Sequence, residues 1–131
     1  MGKDTPWIME GDGEADIQID MIQICGIEYE DFAENESILT KDIFEKHFPQ
    51  ILKLINSDYL SLLIFGALIL RTGSFLPDNV RKKIIEAADW KNEKERWKYA
   101  DAEFIKSRKE TLIDFRQKII NHKRGEITKV L

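Results

Sequence analysis

Apolar residues recur at helical spacing through most of this chain, and stretches that alternate at every second residue are short. Residues 1–13 form an irregular lead-in broken by Pro6, Gly11 and Gly13, with Trp7 and Ile8 able to fold back onto a core. Ala15, Ile19, Met21 and Ile22 then predict a helix over about 14–24, which Gly26 stops. Ile17 and Ile19 also alternate with Gln18 and Asp20, as a short strand would require. Residues 27–39 carry little pattern and read as a loop or a weak helical turn. Thr40 is a good N-cap, because its hydroxyl can accept from an amide that lacks a helical partner. Ile43, Phe44, His47, Phe48, Ile51, Leu52 and Ile55 follow at helical spacing, and Pro49 must kink or restart that helix.

Asn56-Ser57-Asp58 closes this element and caps the next, which is apolar on all sides over 59–71 and ends at Gly73. Pro77 suits the first position of a helix reaching about residue 88, with Val80, Ile84, Ile85 and Ala88 inward. From Trp90 to His122 the pattern is almost continuous helix, with Asp89 as a cap. A break is expected near residues 99–102, where Asp101 caps a second time. In the last helix Ile105, Leu112 and Ile119 lie seven apart, as do Arg108, Phe115 and His122. That repeat is too short for a coiled coil and suits a helix packed on a bundle. The predicted architecture is all-α, a single domain over 1–131 with about five or six helices around the apolar helix at 59–71. The expected core is Ile19, Ile22, Phe44, Phe48, Ile51, Leu52, Leu63, Phe65, Ala67, Leu68, Val80, Ile84, Trp97, Leu112, Phe115 and Ile119.

With 131 residues, 43% of them apolar, the chain is long enough to bury a core without metal or disulfide support. Cys25 is its only cysteine, which excludes an internal disulfide, and its apolar setting predicts a buried thiol at a helix end. No basic segment followed by an apolar run opens the sequence, so no signal peptide is expected. The longest apolar run, 62–70, is too short to cross a bilayer and is followed by Arg71. These features predict a cytoplasmic protein without membrane association.

Charge changes the picture most. Residues 1–60 hold 4 Lys/Arg against 14 Asp/Glu, and residues 61–131 hold 16 against 10, so −10 faces +6 within a formal −4. Either the halves neutralise each other in the fold, or one of them meets a charged partner. Glu28, Glu30, Asp31, Glu34 and Glu36 surround Tyr29 and Phe32 with almost no cation between them. Clustered carboxylates speed encounter with a basic partner, and exposed aromatics supply contact area, so these residues form the candidate partner-binding surface. In the basic half, Arg108, Lys109, Arg116 and Lys123 are the candidate nucleic-acid contacts. Acidic residues interleave with them, as on a solvated helix face, which weighs against nucleic acid.

Other chemistry is thinly represented. Asp12, Glu14, Asp16 and Asp20 alternate like calcium ligands, but the sixth and twelfth positions of such a loop are Ile17 and Gln23 instead of glycine and a carboxylate. They read as an acidic helix start facing the positive end of the helix dipole. His47 and His122 sit on apolar stripes and read as core-edge histidines with one satisfied nitrogen. The phosphate-loop, nucleophile-elbow and zinc-protease motifs are not present. No cofactor, metal or catalytic residue is expected.

The C-terminal half, from Leu60 to Ile120, resembles a family of small bacterial all-helical proteins defined as a domain of unknown function. The matching features are Phe65-Gly66-Ala67-Leu68, Thr72-Gly73-Ser74-Phe75-Leu76-Pro77-Asp78-Asn79-Val80, Glu95-Arg96-Trp97, Asp101, Arg108, Leu112 and Phe115. Gly11-Asp12-Gly13-Glu14-Ala15-Asp16 is similar to that family's acidic opening, and Gly2 and Trp7 to its lead-in, whereas 27–57 lies outside the match. The resemblance implies a helical bacterial protein and brings no catalytic residue. Size and charge also resemble those of toxin-neutralising immunity proteins. The expectation is therefore a non-enzymatic protein that captures a basic partner through 28–36, with a nucleic-acid-associated regulator as the alternative.

Overall fold

The computed structural model describes residues 6–55 and 58–130. Within them the chain folds as a bundle of α-helices with no strand: α1 Asp12–Ile24, α2 Tyr29–Glu34, α3 Lys41–Lys46, α4 Phe48–Ile55, α5 Tyr59–Thr72, α6 Asp78–Ala87 and α7 Ala102–Asn121. Short 3-10 turns at Glu36–Ile38 and Trp90–Asn92 join α2 to α3 and follow α6. The 17–20 segment is helical, because its isoleucines lie beside the fully buried Met21 and Ile22. No helix among the described residues is long and apolar enough to cross a membrane.

α5 is the axis. Every residue from 61 to 70 is buried, and α1, α3, α6 and α7 all pack on this helix. A helix surrounded on all sides needs no polar face, which is why its sequence has none. Gly66 sets the closeness of that packing: a Cβ there would lie 3.0 Å from both Ile84 of α6 and Phe115 of α7. Phe44, Phe48 and Phe65 close the other side, with ring centroids 5.2 to 5.6 Å apart.

The caps fall where the side chains place them. Thr40 accepts from the Ile43 amide at 3.3 Å, Asp58 from the Ser61 amide at 3.1 Å, and Asp101 from the Phe104 amide at 2.7 Å. Asn56 and Ser57 lie outside the described residues. Pro49 stands second in α4, where an amide hydrogen has no helical partner, so the chain restarts after His47 without penalty. Gly73 takes the left-handed conformation (φ 72°) that ends α5. Orphan carbonyls at that end are then filled by the C-terminal tail: Gly125 donates to Gly73 and Thr128 to Leu70, both at 2.8 Å.

Two expectations are corrected. Residues 90–99 are a 3-10 turn followed by irregular turns, not α-helix. Asn92 turns back to donate to the carbonyls of Glu86 and Ala87, capping α6, while Glu93 and Trp97 point inward toward α7. These demands conflict with a continuous helix. In the core, Leu52 is 40% exposed and Ile19 only half-buried, because α4 buries Phe48, Ile51 and Ile55, and α1 buries Met21 and Ile22. The other expected core residues are buried.

Candidate functional site

Three arginines tie the basic half of the chain to the acidic half. Arg71 pairs with Glu36 at 2.7 Å, and Arg96 grips Glu14 through bonds of 3.1 and 2.9 Å. Arg124 holds Glu45 at 2.9 and 3.0 Å, with Asp42 at 4.0 Å. The hydrogen bond from Arg124 is the main cause that keeps the Glu45 carboxyl below its ordinary range, and the Phe75 amide adds to it. Asp12, Asp16 and Asp20 on α1, and Glu28, Glu30, Asp31 and Glu34 in and before α2, are exposed and make no ion pair among the described residues. α1 and α2 pack against each other.

Within the 28–36 segment the predicted surface is brought together in part. Tyr29 is half-buried, with its ring centroid 6.1 Å from that of Phe32. Phe32 is no surface aromatic: it is 4% exposed, since a single-turn helix with one large apolar side chain must bury it to stay attached. Glu36 is engaged by Arg71. Behind α2 lies a cavity of about 500 Å³, lined by Phe32, the Glu36–Ser37 turn, the start of α3, the end of α5 and the tail at Gly125 and Ile127.

The basic candidates behave differently. Arg108 is completely buried. Its Nε and Nη2 donate to the two oxygens of the equally buried Glu93, and its Nη1 donates to the carbonyls of Pro6 and Trp7 at 3.1 and 3.0 Å. Trp97 Nε1 adds a third bond to Glu93, at 2.8 Å. Every oxygen and nitrogen of this pair faces protein, so Arg108 cannot meet a phosphate, which corrects its place among nucleic-acid contacts. Lys109 lies over the Trp90 ring at 5.1 Å, Arg116 is half-buried and Lys123 is exposed. Lys91, Lys98 and Lys118 already pair with Glu86, Glu95 and Asp114.

Sequence reasoning missed the Glu93–Arg108 node, yet a signal was present: an arginine seven residues before Phe115 on the stripe that α7 buries. Arg96, Trp97, Arg108 and Glu14 are thus held by this node and by the Glu14–Arg96 pair, while Glu95 pairs with Lys98 at the surface. Gly2, the other lead-in residue, lies outside the described residues.

The remaining candidates have structural settings. Glu14 is buried under Arg96 instead of standing beside Asp12 and Asp16, and no group of metal-ligating side chains occurs among the described residues. Cys25 is a buried free thiol at the end of α1, and burial pushes it up to about 11. His47 Nδ1 lies 2.8 Å from the Ile43 carbonyl, and His122 Nε2 lies 2.7 Å from the Ser74 carbonyl, so each ring nitrogen donates there. His122 Nδ1 is buried and has no hydrogen-bond partner among the described residues. No family model matches this chain, and neither a curated protein nor a solved structure does.

Proposed function

We propose that this chain is a non-enzymatic binding protein that captures a basic protein partner stoichiometrically, with the acidic face of α1 and α2 as its docking surface. A toxin-neutralising immunity protein of the bacterial cytoplasm is the role we propose for it. The observation that supports the reading is the set of exposed carboxylates that make no ion pair among the described residues, although the same chain carries many cations. Like charges on neighbouring helices raise the energy of the isolated fold slightly, and a basic partner relieves that repulsion while being steered by it. Tyr29 adds half-buried aromatic area in the middle of the charges.

The nucleic-acid alternative gains no comparable support, because Arg108 is spent on Glu93 and several lysines are already paired. Replacing Glu30, Asp31 and Glu34 together by alanine tests the proposal. Capture of the basic partner should weaken and its association should slow at low salt, with the fold intact by circular dichroism. Unchanged capture at low salt would remove this surface from the account.

A further inference from the structure

We infer that the cavity behind α2 is a binding site for a small apolar carboxylate, a molecule with one anionic head on a hydrocarbon or aromatic body. The inference stands apart from the partner reading and needs no protein partner to be tested. Its volume of about 500 Å³ is that of a small-molecule site. Phe32, Leu39, Leu68 and Ile127 supply apolar walls. Ile127 is 75% exposed at the edge of the cavity, an apolar side chain that an occupant's body would cover.

The polar lining selects the head group. Of its three hydroxyls, those of Ser37 and Thr72 are bonded within the protein, and that of Thr40 accepts a backbone amide and keeps its own hydrogen to donate. Ser37 Oγ donates to Asn35, Thr40 Oγ1 accepts from the Ile43 amide, and Thr72 Oγ1 is bonded to the Leu68 carbonyl and to Ser74. Lys41 and Arg71 remain. Lys41 makes no ion pair among the described residues. Arg71 is held by Glu36, whose side chain is 53% exposed.

A partly exposed surface pair of that kind is weak, so an incoming carboxylate can take the guanidinium while Glu36 turns into water. Arginine's planar fork suits a carboxylate. Two cations and one acid leave a lining charge of +1 that one negative charge balances, whereas a cationic head would meet Lys41 and Arg71 unfavourably. A phosphate monoester, with about −1.5 to −2 charges at neutral pH, would overcompensate it.

The test uses the full chain, ¹⁵N-labelled, titrated with decanoate, decanol and decylamine below their aggregation concentrations and followed by amide NMR. Decanoate should give saturable shifts at Leu39, Lys41, Arg71 and Ile127, bind more tightly than decanol, and bind far more tightly than decylamine. Lys41→Gln and Arg71→Gln should each weaken decanoate about tenfold and leave decanol within about twofold, since only a charge-assisted bond is lost. Amides remote from the cavity must keep their wild-type positions in both variants, which separates lost recognition from lost fold. Shifts that never saturate, shifts centred elsewhere, decylamine binding as tightly as decanoate, or two variants that bind decanoate like wild type would each overturn the inference.

Discussion

Two regions of this molecule set acidic and basic residues to opposite uses. At the junction of the lead-in, the 90–100 segment and α7, Glu93 and Arg108 are wholly buried, and both carboxylate oxygens and all three guanidinium nitrogens are bonded. On α1 and α2 Asp12, Asp16, Asp20, Glu30, Asp31 and Glu34 are exposed and make no ion pair among the described residues. The first region holds irregular backbone in place, because Arg108 is the hydrogen-bond donor for two carbonyls of the lead-in. The second contributes little to the fold and projects a field outward. A charge is structural here where desolvation forces it to be fully paired, and available for binding where nothing does.

The sharpest way to break this contrast is Arg108→Ala. It leaves Glu93 buried without its counter-charge, and urea denaturation should show a loss of about 3–5 kcal/mol. Combining Arg108→Met with Glu93→Gln removes both charges and should recover part of that loss. Gly66→Ala probes the close packing of α5 on α6 and α7. Its methyl group would meet Ile84 and Phe115 at 3.0 Å and Ile119 at 3.2 Å, and overpacking of that kind should cost about 1–3 kcal/mol. On the acidic face the expectation reverses: Glu30→Gln, Asp31→Asn and Glu34→Gln should each change stability by under about 0.5 kcal/mol while the triple variant slows association with a basic partner.

Two smaller effects carry a sign in pH. Glu45 has a lowered folded-state pKa, caused first by its hydrogen bond from Arg124, so its contribution is present above the unfolded carboxyl pKa and disappears as pH falls through the folded one. Stability measured against pH should therefore decline on the acid side, and Glu45→Gln should make that decline shallower. Cys25, pushed up to about 11 by burial, should resist alkylation by iodoacetamide at pH 8 in the native state and react once urea unfolds the chain.

Helices that bury an apolar stripe, and the side chains that cap them, were legible in the sequence. Thr40, Asp58, Gly73 and Asp101 end or begin elements where their chemistry requires it. The 90–99 segment was not legible. Its Lys/Glu-rich composition has ordinary helix propensity, and what breaks the helix is tertiary: Asn92 capping α6 and Glu93 reaching Arg108. The acidic surface was visible as a charge imbalance, because unpaired carboxylates need no partner to be recognised in a sequence. Which basic residues were spent could not be read, since Arg108 and Lys109 are neighbours that end in opposite environments. The cavity was also hidden. It is assembled from α2, α3, α5 and the tail, segments with no sequence relation to one another.

The account rests on the acidic face being free for a basic protein, and low-salt affinity isolation of the tagged chain from a bacterial host, with mass spectrometry of what accompanies it, tests that most directly. One basic protein recovered in stoichiometric amount, and lost when Glu30, Asp31 and Glu34 are replaced, is the predicted result. Nucleic acid in the eluate, or a chain recovered with nothing bound, would contradict it.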